Sequence, residues 1–186
     1  MKALHQLTLE HAAIGALIAR FEAEIQDAVR TGEADAEAID RLLGFFEREV
    51  DGHHQDKEEQ VLLPRLLARA EGEDLRLLRS LRDDHARQRK LLAHMRNQVE
   101  GVTYGEPNSL AILVRDAGRY VRHQREHSTW EQRTLFTLAR RLLGPSDDRA
   151  LLIGFRRLDE VWGAPLWDAA CFLAEWLDQR RSLVPA

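Results

Sequence analysis

Two histidine–glutamate pairs stand out in the sequence because each is spaced by four residues, His54 with Glu58 and His127 with Glu131. Residues at positions i and i+4 of an α-helix lie one turn apart on one face, so each pair presents an imidazole beside a carboxylate. These two groups form a ligand set that suits iron, with manganese and zinc as competitors. The spacing therefore predicts metal binding.

Two further histidines complete the candidate site, and both belong to an internal repeat. His11 precedes His54 by 43 residues, and His85 precedes His127 by 42 residues. Each half of the chain thus contributes one histidine followed by one His-x-x-x-Glu pair. A repeat of this kind indicates two pseudo-equivalent helical hairpins.

The candidate ligands share the phase of the apolar stripes in their helices, which predicts that they point into the protein. Ionisable groups buried without partners would each cost on the order of several kcal/mol, so cations must neutralise them. Their number exceeds what one tetrahedral zinc accepts, which favours a two-metal site whose carboxylates can bridge ions roughly 3.5–4 Å apart. The predicted metal ligands are His11, His54, Glu58, His85, His127 and Glu131.

The remaining histidines receive other predictions. His5 and His94 have no carboxylate facing them at helical spacing and are expected at the surface. His53 and Glu59 each lie about a hundred degrees round the helix from a predicted ligand, so we expect them around the site or in solvent. His123 lies one turn before the second pair and is the reserve ligand.

Four long amphipathic helices must position these side chains. Short connections between them predict an all-α, up-down-up-down four-helix bundle. The stripes and the capping and breaking residues predict helices that run to about Arg30, from Asp35 to near Ala70, from Gly72 to a loop around Gly101, Gly105 and Pro107, and from Asn108 or Ser109 to Gly144-Pro145.

The C-terminal segment carries two shorter helical patterns, Leu151–Val161 and Leu166–Leu177, separated by Gly163-Ala164-Pro165. We expect residues 1–145 to form the bundle and residues 146–186 to form a helical cap of the same domain. Large aromatic side chains in this segment either pack onto the bundle or provide the surface of a homodimer. They are Trp162, Trp167, Phe172 and Trp176.

Composition narrows the function classes. A chain of 186 residues is expected to form one domain, and its net charge of −4 lacks the basic excess typical of proteins that bind nucleic acid or anionic membranes. No apolar run approaches the roughly 18 residues of a membrane span. The single cysteine, Cys171, excludes an internal disulfide and a cysteine-based metal cage. These features predict a cytoplasmic protein whose metal ligands are histidines and carboxylates.

Other metal motifs do not fit. Ferritin-like carboxylate bundles carry Glu-x-x-His twice, whereas the order here is reversed and histidines are more numerous. The metalloprotease motif His-Glu-x-x-His is absent from the sequence. An iron-mineralising ferroxidase of the ferritin type and a zinc protease are therefore disfavoured.

The combination of motifs resembles the hemerythrin-like HHE cation-binding family over about residues 5–143, and the tail resembles the extension of bacterial members. This resemblance implies a non-haem di-iron centre with an oxo or hydroxo bridge. It also implies bridging by Glu58 and Glu131, and terminal ligation by the four histidines. The motifs are Glu10-His11, His53-His54 to Glu58-Glu59, Asp84-His85 and Arg125-Glu126-His127 to Glu131.

The resemblance further implies dioxygen, peroxide or nitric oxide as a small ligand. Oxygen-carrying hemerythrins have a second histidine four residues after the first on the third helix, where this chain has Arg89 after His85. Water, His123 or a shifted carboxylate would have to replace that ligand, which disfavours reversible oxygen transport. We expect a di-iron protein of sensing, oxidative or nitrosative stress response or iron handling. The alternatives are a peroxide or nitric oxide reductase and a helical interaction module with a structural metal.

Overall fold

Helices dominate the structure, a computed structural model that describes residues 1–183. No strand occurs within that range, so the predicted all-α fold is confirmed. The six helices are α1 (Lys2–Thr31), α2 (36–67), α3 (Gly72–Thr103), α4 (109–142), α5 (Pro145–Trp162) and α6 (Leu166–Leu183).

The first four helices form the bundle. Helix α1 packs against α2 and α4, and α3 also packs against α2 and α4. Each helix of the bundle therefore has two neighbours, as in a four-helix ring. Connections of four or five residues, 32–35, 68–71 and 104–108, reverse the chain between them. None of the described helices has the length and hydropathy needed to cross a bilayer.

Both helices that carry a His-x-x-x-Glu pair contain π-helical winding, which the sequence pattern did not predict. In α2 the π-helical segments are Phe46–His54 and Lys57–Leu62, and in α4 the segment is Glu131–Leu135. Such segments shift the hydrogen-bond register by one residue and are frequent at functional sites. All three segments include or adjoin a predicted ligand, so the regular α-helical spacing assumed above was wrong locally.

The apolar interior consists of two clusters, one on each side of the predicted ligands. One cluster includes Phe21, Phe46 and Tyr120, with ring centroids of Phe46 and Tyr120 5.4 Å apart. The other includes Leu7 and Phe136, each at most 1% exposed. The predicted ligands therefore form a polar layer between two hydrophobic cores.

One predicted boundary was wrong. Gly101 does not end α3, which continues to Thr103. A Cβ atom at Gly101 would overlap the side chain of Ser109, the first residue of α4. The glycine permits a close approach of two helices rather than a turn.

The C-terminal helices pack on the outer face of α1 and α2. Phe155 of α5 is fully buried in one core, and Trp176 of α6 lies beneath the guanidinium of Arg41 at 4.2 Å. Trp167 and Phe172 are 54% and 69% exposed. The aromatic residues of this segment therefore pack only in part onto the bundle, and a homodimer through the exposed ones stays a prediction.

The contact between α5 and α2 depends on a glycine, Gly154, at the point where the two helices meet. A Cβ atom at Gly154 would lie 2.5 Å from Cγ1 of Val61, whose β-branched side chain has little freedom to move. We predict that Gly154→Ala destabilises the protein by about 1–2 kcal/mol, because overpacking outweighs the gain in helix propensity. Urea unfolding measures this change.

The matched control is Gly118→Ala in α4, where a Cβ atom would meet nothing within 4 Å. This exposed helical glycine should yield a stabilisation of about 0.5–1 kcal/mol when replaced. Equal stabilisation by the two substitutions would show that α5 does not press closely on α2.

Candidate metal centre

The structure brings all six predicted ligands into one buried layer. Helix α1 supplies one histidine, α3 supplies another, and α2 and α4 each supply a histidine and a glutamate. Their exposed fractions range from 0% for Glu58, His85 and Glu131 to 5% for His11 and His127. The inward orientation predicted from helical phase is thus observed for His11, His54, Glu58, His85, His127 and Glu131.

The six side chains form two overlapping clusters. Within each cluster, one ligand atom from every residue lies within 4.8 Å of the others. Glu58 and Glu131 belong to both clusters, whereas each histidine belongs to one. The clusters are His11, His54, Glu58 and Glu131, and Glu58, His85, His127 and Glu131.

The carboxylate oxygens divide between the two clusters. Glu131 Oε2 lies 3.0 Å from His11 Nε2, and Glu131 Oε1 lies 3.0 Å from His127 Nε2. Glu58 behaves similarly, with Oε1 3.9 Å from His54 Nε2 and Oε2 3.5 Å from His85 Nε2. Each carboxylate therefore directs its two oxygens toward different histidine pairs, the arrangement needed to bridge two cations.

Both carboxylates lack hydrogen-bond partners. All four oxygens of Glu58 and Glu131 are buried without one among residues 1–183, although histidine nitrogens lie nearby. Burying an ionised carboxylate without a partner is costly, and native proteins rarely leave such atoms unsatisfied. Four imidazole nitrogens around four unsatisfied oxygens fit two divalent cations of the iron, manganese or zinc type.

The outer nitrogens of the histidines are held by a second ring of side chains. His54 Nδ1 lies 2.8 Å from Glu10 Oε2, and His85 Nδ1 lies 2.7 Å from Glu59 Oε1. The amide of Gln132 lies 3.1 Å from His11 Nδ1. A carboxylate on Nδ1 keeps the proton there and leaves Nε2 free to bind metal.

A family model for the hemerythrin HHE cation-binding domain matches residues 2–139. The chain belongs to the hemerythrin HHE cation-binding family. No curated protein and no solved structure matches it in the same comparisons. The matched range contains α1 to α4 almost completely, with every predicted ligand, and ends before α5.

The structure also shows where Arg89 and the reserve ligand His123 lie relative to the two clusters. The Arg89 guanidinium contacts side chains of α2. Its Nη1 donates to Gln55 Oε1 at 2.6 Å and lies 3.3 Å from Glu59 Oε1. His123, the reserve ligand, lies outside both clusters, and its ring stacks on His127 at a centroid distance of 6.2 Å. Arg89 therefore supports the carboxylate partner of His85.

The other histidines follow the predictions only in part. His5 is exposed, and the side chain of His94 is 49% exposed, although His94 Nδ1 contacts Asp116 at 2.7 Å. His53 was expected around the site or in solvent, but it is fully buried. Its ring nitrogens lie near Glu49 and Asp159, and its ring stacks on Trp162 of α5.

Sequence reasoning identified Glu59 but missed Glu10 and Gln132 as partners of the ligand histidines. Glu10 precedes His11 in the sequence, yet its carboxylate contacts His54 on another helix. Gln132 follows Glu131 but contacts His11 on α1. Adjacency to a ligand was the available signal, and it does not reveal which ligand the neighbour contacts.

Two of the predicted ligands, His85 and Glu131, have strongly shifted pKa values. Burial favours neutral His85, but the carboxylates of Glu131, Glu58 and Glu59 around its ring outweigh burial and raise its pKa to about 11. Burial also opposes ionisation of Glu131, yet the surrounding histidines hold its pKa well below the usual range. The raised pKa of His85 and the lowered pKa of Glu131 thus indicate a buried pair of opposite charges.

A raised histidine pKa stabilises the fold below the unfolded value of 6.5, and that contribution is lost as pH rises toward the folded value of about 11. We predict that the free energy of unfolding of the metal-free protein falls by on the order of 1 kcal/mol per pH unit above pH 6.5. Urea unfolding at pH 6.5 and at about pH 9.5 measures this loss.

His85→Gln is the control, because it removes the titrating ring and should flatten the profile. Metal must displace the same proton, so the metal affinity of the unaltered protein should rise by up to about tenfold per pH unit. A metal-free protein with constant stability across this range would contradict a protonated His85.

Proposed function

We propose that this protein binds two iron ions in a non-haem di-iron centre and uses them to interact with dioxygen, peroxide or nitric oxide. The proposed roles are sensing, oxidative or nitrosative stress response, or iron handling. The observation that carries the proposal is the pair of four-residue clusters that share Glu58 and Glu131. Such sharing is what a two-metal site requires of its bridging ligands.

The donor set supports iron as the metal. Each cluster offers two imidazoles and two carboxylate oxygens, a mixture of nitrogen and oxygen donors that iron accepts readily, with manganese or zinc as substitutes. The chain belongs to a family of cation-binding domains, which supports metal binding without specifying the element.

The number of protein donors supports a small exogenous ligand. Four donors per cluster are fewer than the six of an octahedral site, so the protein leaves coordination positions for small molecules. When bound, the two ions would supply Lewis acidity and electrons for such a ligand. The surrounding side chains shield the site from solvent. His11 stacks on Phe136 at a centroid distance of 5.7 Å, and apolar clusters lie on both sides of the ligand layer.

The position of Arg89 supports sensing, stress response or iron handling over oxygen carriage. Its guanidinium cannot replace the additional histidine of the oxygen carriers, because it is cationic and pairs with Glu59. The cluster of His85 and His127 therefore has fewer nitrogen donors than an oxygen carrier. We therefore propose that the cluster of His85 and His127 is where a small exogenous ligand would bind the metal.

Loading the purified protein with ferrous iron tests the proposal. We expect two iron ions per chain and, after exposure to air, near-ultraviolet charge-transfer absorption of ferric iron. Glu131→Ala should weaken the binding of both ions by about 100-fold or more, because Glu131 belongs to both clusters. His94→Ala removes a histidine outside the clusters and should leave two ions bound.

A protein that stays colourless and cannot be loaded with iron would overturn the proposal, as would unchanged iron binding in Glu131→Ala. Turnover of peroxide or nitric oxide with an electron donor, lost in Glu131→Ala, would instead indicate a reductase. Binding without turnover supports the sensing, stress-response or iron-handling role.

A further inference from the structure

A buried lysine lies between two carboxylates just outside the metal centre. The side chain of Lys57 is 1% exposed, and its Nζ lies 2.6 Å from Glu10 Oε1 and 2.6 Å from Asp159 Oδ1. A buried ammonium requires paired anions to offset its desolvation, and the two carboxylates supply them. Lys57 is thus held at a fixed place between α1 and α5.

This lysine is the middle of a continuous chain of contacts. On one side, the second oxygen of Glu10 accepts from His54 Nδ1 at 2.8 Å. On the other side, Asp159 Oδ1 lies 2.7 Å from His53 Nε2. The side chains of a predicted metal ligand and of the C-terminal helix α5 are therefore connected through two carboxylates and one cation.

Packing fixes the end of α5 that carries Asp159. The ring of Trp162 stacks on His53 with centroids 5.9 Å apart, and its Nε1 donates to Asp56. The same ring lies where a Cβ atom of Gly52 would be, 2.5 Å from that position. Asp159 therefore reaches Lys57 only when α5 is docked on α2.

The chain of contacts behind His85 ends in a different environment from the chain behind His54. His85 is held by Glu59, and Glu59 contacts Arg89, which repeats the order of histidine, carboxylate and cation. The side chains of Glu59 and Arg89 are 23% and 41% exposed, so this chain of contacts ends in solvent. The chain from His54 is the buried one, and it ends on a helix outside the residues matched by the HHE model.

We propose that Lys57 and Asp159 are positioning residues for His54, and that they make metal binding at the His11–His54 cluster depend on the docking of α5. Asp159 holds the ammonium of Lys57 beside Glu10 Oε1, and this ion pair fixes the carboxylate so that Oε2 faces His54 Nδ1. Glu10 then keeps its bond to His54 Nδ1, and His54 Nε2 stays directed at the metal. The inference rests on the proposed function, since it assigns a role to residues around the same site.

The test compares two variants that each remove a charge pairing α5 with the bundle. Asp159→Asn removes the negative charge that Lys57 and His53 face, whereas Arg69→Gln removes the ion pair of Arg69 Nη2 with Asp147 Oδ1, 2.8 Å long, which involves no predicted ligand. Both side chains are part-exposed, and both variants are expected to fold. Lys57→Met is the second variant at the buried position.

Ferrous-iron affinity is measured by competition with a chelator, and the Nδ1 chemical shifts of His54 and His85 are measured in the zinc-loaded protein. We expect Asp159→Asn to weaken one of the two binding events by about tenfold, the lower end of the range for residues behind a ligand. Its His54 shift should move while its His85 shift does not. Lys57→Met should show the same pattern, and Arg69→Gln should match the unaltered protein.

Equal affinity and an unchanged His54 shift in Asp159→Asn would overturn the positioning role while leaving the di-iron proposal intact. The same loss in Arg69→Gln would also overturn it, because docking of α5 alone would then explain the effect. An unaltered protein that binds no metal would overturn both proposals together.

Discussion

The burial of two carboxylates without hydrogen-bond partners is the constraint on which the rest of the structure depends. Glu58 and Glu131 are fully buried, and each directs its two oxygens to different histidine pairs. Their desolvation requires compensating positive charge, and protonated histidines or the proposed metal cations would supply it. The four helices, the π-helical segments and the outer carboxylates all serve to hold this layer.

The two ligand clusters are inequivalent although the sequence repeat makes them similar. Both have two histidines and share both carboxylates, yet the support behind them differs. The carboxylate behind His54 is buried and connects through Lys57 to α5, whereas the one behind His85 faces solvent with Arg89. The two clusters have matching predicted ligands, but the side chains that support those ligands differ.

The sequence was sufficient to predict the helical fold and the inward orientation of the six predicted ligands, because both depend on local periodicity. The four-residue spacing of His54 and Glu58, together with the apolar stripes, places these side chains on an inner face. The partners of the ligands depend on contacts between distant residues, as with Lys57 and Glu10 or His53 and Asp159, 47 and 106 positions apart. Helical spacing carries no information on such contacts, nor on the π-helical winding of α2 and α4.

X-ray diffraction from crystals of the iron-loaded protein, recorded at the iron absorption edge, tests the central claim most directly. The account predicts two anomalous peaks roughly 3.5–4 Å apart, one beside each histidine pair and both in contact with Glu58 and Glu131. A single peak, or peaks at the protein surface with hydrogen-bonded carboxylates inside the bundle, would contradict it.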